Sequence, residues 1–236
     1  MIKAVFFAYA HTLVEVRKEQ EASFMSEAIQ RMHDFLTKSG YEVDFDEFKR
    51  VDLKVFGEAN RRATQTSREL NIEEVYSKIL GRVGIEALPK SQMVKRLIDT
   101  FFRFVIDALV LCPHAESTLK TLKKSRFKVG IIANYPKTSY LKLALERLKI
   151  EEYFDSIVTS ADVGLRKPRR EIFEKALESV HIKPWEAVMV GSSLREDIGG
   201  AETVGMKSIL LSEKKSRTPN ITVQSLSQIL DIISKQ

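Results

Sequence analysis

The sequence predicts an α/β protein in which a mainly parallel sheet is flanked by helices and a helical bundle is inserted after the first strand. Short, continuous apolar runs alternate with helical patterns after residue 113. Such runs are typical of strands buried on both faces, and their alternation with helices indicates right-handed crossovers between parallel strands. Between residues 18 and 110 the strand patterns disappear and apolar residues recur at helical spacing. The 236 residues suffice for one sizeable core and a smaller second unit.

The elements of the α/β part follow from these runs and from the helical patterns between them. The predicted strands are 3–7, 128–133, 156–159, 187–190 and 207–211. The predicted helices lie near 114–125, 138–149, 169–180, 195–204 and 222–235.

Four amphipathic stripes predict the helices of the insertion. The stripes are Phe24/Ala28/Met32/Phe35, Phe48/Val51/Val55/Ala59, Ile72/Val75/Ile79/Val83 and Val94/Leu97/Phe101/Val105/Leu109. Asp44 with Glu47, and Asn71 with Glu74, mark two helix starts, because a short polar side chain can accept hydrogen bonds from otherwise unpaired amides. The predicted domains are a core (1–16 and 111–236) and a helical domain (17–110).

The composition is that of a globular protein, with 44% hydrophobic and 30% charged residues and a net charge of +6. The basic residues cluster at Lys120/Lys123/Lys124/Arg126/Lys128, Arg166/Lys167/Arg169/Arg170 and Lys214/Lys215/Arg217. Nucleic acid attracts such clusters, but acidic residues are interleaved with them and no aromatic stacking pattern accompanies them. Solvated charged faces are therefore favoured over a nucleic-acid site.

Cysteine usage and hydropathy bear on the compartment. Cys112 is the single cysteine, so no intrachain disulfide can form. No apolar run reaches membrane-spanning length, and the apolar start lacks the long segment of a signal peptide. We therefore expect a cytoplasmic protein without membrane partners.

Four motifs stand in order at predicted strand ends and loops. They are Phe6-Phe7-Ala8-Tyr9-Ala10-His11-Thr12-Leu13, Ile131-Ile132-Ala133-Asn134, Gly164-Leu165-Arg166-Lys167-Pro168, and Val190-Gly191-Ser192-Ser193-Leu194-Arg195-Glu196-Asp197 before Gly200-Ala201. This order and spacing resembles the haloacid dehalogenase-like (HAD) hydrolase superfamily, in its phosphatase type with a helical cap. The resemblance covers essentially the whole chain and implies a Rossmann-like core with the insertion as cap.

The resemblance also implies a mechanism for intact members of the family. Their first motif is Asp-x-Asp-Gly-Thr, in which the first aspartate attacks phosphorus and the second acts as general acid. Magnesium, bound by carboxylates of the first and fourth motifs, lets a carboxylate approach a phosphate dianion. A hydroxyl residue of the second motif and the lysine of the third hold the phosphoryl oxygens.

This sequence departs from the family pattern at five of these positions. Ala8 and Ala10 replace the two aspartates, His11 the glycine, Ala133 the hydroxyl residue and Ser192 the first acid of the fourth motif. A methyl group can neither attack phosphorus nor donate a proton, and loss of one member of a catalytic unit already costs roughly 10⁴-fold or more. We therefore expect no catalytic residues and no bound magnesium.

Thr12, Asn134, Lys167 and Asp197 are retained. With His11 they form the predicted ligand-binding set, because a lysine that faces loop amides is a natural site for a phosphate-type anion or a phosphorylated small molecule. The alternative is structural: Asp197 would complement the start of the helix near Leu194, and the others would satisfy backbone groups.

Three functional hypotheses remain open. The first is an inactive pseudoenzyme that binds a phosphate-type ligand or a protein partner. The second is a hydrolase of unusual mechanism, with His11 as nucleophile or base, or an engineered inactive variant of a phosphatase. The third is a nucleic-acid-associated protein that uses its basic surface.

Overall fold

The computed structural model describes residues 1–213 and 221–234, and it confirms the predicted α/β fold with an inserted helical bundle. The chain divides into a core unit (Met1–Glu15 and Val110–Gln236) and a helical unit (Val16–Leu109). No helix within the described ranges is both long enough and apolar enough to cross a membrane.

Within residues 1–213 and 221–234, eight strands follow one another. They are β1 (Ala4–Phe7), β2 (Val14–Val16), β3 (Leu109–Leu111), β4 (Lys128–Ala133), β5 (Ser156–Thr159), β6 (Ala187–Gly191), β7 (Lys207–Leu211) and β8 (Ile221–Val223). Six of them form a parallel sheet in the order β5-β4-β1-β6-β7-β8, and β2 pairs with β3. The central strands β1, β4 and β6 are almost wholly buried, which explains their continuous apolar runs.

Four helices build the helical unit, as the stripes predict. They are α1 (Phe24–Lys38), α2 (Phe45–Thr66), α3 (Ile72–Arg82) and α4 (Gln92–Ala108). The predicted starts are confirmed: an Asp44 carboxylate oxygen accepts from the Glu47 amide at 2.8 Å, and the Asn71 side chain accepts from the amides of Glu73 and Glu74.

The described part of the core unit contains six further α-helices. They are α5 (Ala115–Lys124), α6 (Thr138–Arg147), α7 (Ser160–Val163), α8 (Arg170–Ser179), α9 (Gly200–Thr203) and α10 (Ile229–Ile233). A π-helical turn, Leu194–Gly199, precedes α9 and occupies the first half of the helix predicted near 195–204.

The predicted helix near 222–235 is wrong over its first part. Ile221–Val223 forms β8, which pairs in parallel with β7, and only Ile229–Ile233 is α-helical. The β-branched Ile-Thr-Val triplet suits a pleated edge next to β7 better than a helix. Residue 235 and the basic cluster of Lys214, Lys215 and Arg217 lie outside the described residues.

Asp52 is a buried carboxyl in the helical unit. It lies in α2 with 2% of its surface exposed, and its Oδ1 atom has no hydrogen-bond partner among the described residues. Burial in this apolar surrounding raises its pKa from 3.8 to about 7, because the charged form is poorly solvated there. Burial raises the pKa of the neighbouring Tyr76 well above its usual value, and the Asp52 carboxylate adds to this rise.

This burial predicts a pH-dependent stability. Between pH 4 and 7 the folded state holds a proton on Asp52 that the unfolded state lacks, so the free energy of unfolding should fall as pH rises through this window. The loss would be on the order of 4 kcal/mol. Asp52→Asn should remove this slope in urea unfolding followed by circular dichroism.

The exposed Glu58 on the same helix supplies the matched control, since Glu58→Gln should leave the slope as in the wild type. An identical pH dependence in the wild type and in Asp52→Asn would contradict the prediction.

Candidate functional site

The carboxyl ends of β1, β4 and β6 bring the first, second and fourth motifs to one edge of the sheet. Phe7 lies opposite Ile131 on one side and Val190 on the other. Ala8, the next residue, donates its amide hydrogen to the Val190 carbonyl at 2.8 Å. Continuing this register by one residue puts Ala8 beside Ile132, at the spacing of neighbouring strands, about 4.8 Å.

A buried ion pair lies at this edge. The Lys167 ammonium donates to a carboxylate oxygen of Asp197 at 2.5 Å and to the Ile132 carbonyl at 2.8 Å. Lys167 is 5% exposed and Asp197 is 3% exposed. The other Asp197 carboxylate oxygen accepts from the Ser193 amide at 2.9 Å. Both oxygens therefore have a donor, and one N–H of the ammonium remains beyond these two bonds.

Gly191 makes room for this carboxylate. A Cβ atom at position 191 would lie 2.4 Å from the side-chain atoms of Asp197, closer than real contacts allow. Gly200, nine residues later, makes room for α8 and the third motif, because a Cβ there would lie 2.6 Å from the Phe173 ring and 3.1 Å from the Pro168 Cα atom. The Gly-rich fourth motif thus fits the close packing around the ion pair.

Asn134 connects the second, third and fourth motifs. Its side-chain oxygen accepts from the Lys167 amide at 2.7 Å, and its side-chain nitrogen donates to the Lys167 carbonyl at 3.4 Å and to Glu196 at 3.2 Å. Both the oxygen and the nitrogen of the Asn134 side chain therefore hold neighbouring loops in place. Glu196, which the sequence offered only as a nearby charge, completes this connection.

The first motif has a buried and an exposed part. Ala8 is 3% exposed and belongs to the same apolar cluster as Phe6, Ile132 and Phe173. Ala10 and His11 are exposed, and His11 has a φ of +56°, in the left-handed region where the family has glycine. Thr12 is fully buried, and its hydroxyl has no hydrogen-bond partner among the described residues.

Tyr9 is a feature of the site that sequence reasoning missed. Its ring is buried and contacts the edge of the Tyr135 ring at a centroid distance of 5.7 Å. Burial raises its pKa well above the usual value, so it stays a neutral phenol. The Tyr9 hydroxyl finds no partner within the described ranges. Its position between the two family aspartates gave no signal of this burial.

Two side chains accept hydrogen bonds at the start of the π-helical turn. The Ser193 hydroxyl accepts from the Glu196 amide at 3.1 Å, and the Asp197 carboxylate accepts from the Ser193 amide at 2.9 Å. Ser192, in the place of the family's metal-binding acid, is exposed.

The residues at this edge do not fit a magnesium ion. Magnesium requires a near-octahedral set of oxygen ligands that includes carboxylates. Ala8 and Ser192 have no carboxylate where the family has one, and the remaining carboxylate, Asp197, is already the ion-pair partner of Lys167. The described part of the chain contains no group of three or more His, Cys, Asp or Glu side chains that could hold a metal.

Comparison with known proteins identifies relatives along the whole chain. Residues 45–211 match the family model of haloacid dehalogenase-like hydrolases. The chain is similar to the glyceraldehyde 3-phosphate phosphatase of Pyrococcus furiosus, with 29% identity over all of this chain and 94% of that protein. It is also similar to the glyceraldehyde 3-phosphate phosphatase of Pyrococcus abyssi, with 30% identity over 89% of this chain and 81% of that protein.

Solved structures show the same architecture. A HAD phosphatase from Thermococcus onnurineus superposes with a TM-score of 0.67 at 25% identity, over 98% of both chains. A 2-haloacid dehalogenase from Pseudomonas syringae pv. Tomato superposes with a TM-score of 0.76 at 22% identity, over 100% of this chain and 99% of that one, and supports the fold alone. The family model starts after the first motif, where this sequence departs most from the pattern. The chain belongs to the haloacid dehalogenase-like hydrolase family.

Proposed function

We propose that this chain is a catalytically silent member of its family, which binds a phosphate-type ligand without hydrolysing it. The observation that carries the proposal is the Ala8 methyl group at the end of β1. It stands where the family has its nucleophile, and it is buried in the apolar cluster of the core. No proton transfer or change of rotamer can make this side chain a nucleophile.

The carboxylate retained at the site cannot substitute for the lost one. Asp197 is 3% exposed, and its two oxygens accept from Lys167 and Ser193. A carboxylate in these contacts is held as the counter-charge of a buried ammonium, and moving it toward a substrate would leave Lys167 unpaired. Hydrolysis by the family mechanism would therefore lack its nucleophile, its general acid and its metal together.

A phosphate-type ligand is supported by the donors that remain. The Lys167 ammonium retains one N–H beyond its two bonds, and the buried Thr12 hydroxyl has no partner among the described residues. Exposed His11 lies in the same loop as Thr12. Related proteins are named for their action on glyceraldehyde 3-phosphate, which is a phosphate ester. We assign ligand contact to Lys167, Thr12 and His11, and positioning to Asn134 and Asp197.

The first test is hydrolysis. The wild-type protein should show no magnesium-stimulated release of phosphate from glyceraldehyde 3-phosphate, because the nucleophile and the metal ligands are missing. The triple variant Ala8→Asp/Ala10→Asp/Ser192→Asp should gain magnesium-dependent activity, measured as inorganic phosphate. The single variant Ala10→Asp serves as the matched control and should remain inactive, since it lacks the nucleophile.

Magnesium-dependent turnover by the wild type would overturn the proposal. Metal-independent turnover that disappears in His11→Ala would replace it with the histidine mechanism. Both outcomes are measured against the same substrate.

The second test concerns the ligand. Inorganic phosphate at constant ionic strength should raise the melting temperature of the wild type, with about 2.7 kcal/mol of stabilisation at a hundredfold excess over the dissociation constant. The double variant Lys167→Met/Asp197→Asn removes both buried charges together, so neither is left unpaired. It should lose the phosphate-specific rise.

Thr12→Val is the companion variant. Its side chain keeps the shape of threonine and sacrifices no hydrogen bond within the described residues, so its melting temperature without phosphate should match the wild type or exceed it. An equal phosphate response in the wild type and the double variant would show that phosphate binds elsewhere and would remove the ligand assignment.

A further inference from the structure

The helical unit contains a pocket that the proposed function does not use. Its volume is about 330 Å³. The residues that line it come from the segment before α1, from α1 and from the second half of α4. They are Arg17, Gln20, Arg31, Thr100, Arg103, Phe104, Asp107 and Ala108, and we call this the arginine pocket.

Each of the three arginines is anchored by a different contact. The Arg17 amide donates to the Ala108 carbonyl at 3.1 Å, which fixes this residue beside the end of α4. The Arg31 guanidinium lies over the Phe104 ring at 5.9 Å from its centre. The Arg103 side chain donates to the Asp99 carboxylate at 2.8 Å, one turn earlier on α4. The three arginines therefore line the pocket from three chain segments, the one before α1, α1 itself and α4.

Positive charge exceeds negative charge in the lining. Among its described residues, Asp107 is the single carboxylate against three guanidinium groups. Neither Arg17 nor Arg31 forms an ion pair with a carboxylate within the described ranges. Guanidinium groups bind carboxylates and phosphates through paired N–H donors, so two such groups beside one cavity match an anion.

Gln20 adds a second chemical requirement. Its side-chain oxygen is buried and has no hydrogen-bond donor among the described residues. A buried acceptor without a donor is costly, and a ligand hydroxyl can supply the missing hydrogen. The pocket therefore matches a ligand that has an anionic group for the arginines and a hydroxyl group for Gln20.

We propose that the arginine pocket is a second ligand site, which binds a small hydroxylated anion such as a phosphorylated or carboxylated polyol. The anionic group contacts Arg17 and Arg31, and a hydroxyl of the ligand donates to Gln20. The site is built from residues of the helical unit alone, so it is independent of Lys167 and of the proposed function of the core unit.

The test is a titration of the whole protein followed by amide resonances in nuclear magnetic resonance spectra. The probes are glycerol 3-phosphate, glycerate and inorganic phosphate, each at constant ionic strength. Glycerol 3-phosphate and glycerate represent the two anionic groups with hydroxyls, and inorganic phosphate lacks the carbon-bound hydroxyls. We expect saturable shifts of the amides of residues 17–20 and 100–104 with a hydroxylated anion, and the preferred probe distinguishes phosphate from carboxylate.

Three variants assign the contacts. Arg17→Gln and Arg31→Gln should each weaken the binding of the hydroxylated anion by about tenfold or more, as expected for losing a charged hydrogen bond. Gln20→Leu should weaken glycerol 3-phosphate binding but leave inorganic phosphate unchanged. Arg82→Gln, at an exposed arginine in the last turn of α3, is the matched control and should bind as the wild type.

The experiment tests the core site and the arginine pocket separately. Shifts confined to residues 131–135 and 166–168 would support the core site and overturn the arginine pocket. The pocket would also be overturned by shifts at residues 17–20 that do not saturate, or by equal weakening in Arg31→Gln and Arg82→Gln. Persistence of the shifts at residues 17–20 in Lys167→Met/Asp197→Asn would confirm their independence from the core.

Discussion

The ion pair between Lys167 and Asp197 is the contact on which the rest of the core site depends. Lys167 is 5% exposed and Asp197 is 3% exposed, and a buried charge that loses its partner costs several kcal/mol. The pair fixes the third motif to the end of β4 through the Ile132 carbonyl, and to the fourth motif through the Ser193 amide. A chain without the family nucleophile thus has a structural reason to keep both residues. Their presence alone is no argument for turnover.

The sequence predicted most of the sheet because its central strands are buried on both faces and therefore appear as continuous apolar runs. It failed where pairing is nonlocal and the segment is short. The strand β8 has three residues, and its hydrogen bonds come from β7, so its β-branched triplet is too short to outweigh the helical spacing that follows. The strands β2 and β3 also have three residues each, and they pair across the whole helical insertion.

In the site, too, the local sequence pattern predicted which residues are present but not the tertiary contacts between them. The motifs located Ala8, Lys167 and Asp197 along the chain, and the parallel sheet explains why strand ends meet. The motifs could not predict that the Asn134 side chain hydrogen-bonds to Lys167 through its oxygen and to Glu196 through its nitrogen. These contacts depend on distances between segments more than 30 residues apart in sequence. The arginine pocket was equally invisible, because its three guanidinium groups come from separate segments and none of them belongs to a basic cluster in the sequence.

Two buried carboxyl groups of this chain have different surroundings. Asp197 accepts hydrogen bonds from an ammonium and an amide within the core unit. Asp52 has neither, and burial alone moves its pKa to about 7, so proton binding takes the place of a cation. Arg17 and Arg31 of the arginine pocket follow a third option, because exposed guanidinium groups stay hydrated and tolerate the lack of a carboxylate partner. A hydrated guanidinium group can exchange its water molecules for an anionic ligand. The Lys167 ammonium, by contrast, already has Asp197 as its partner. For this physical reason a search for ligands of this protein should extend beyond the motifs that define its family.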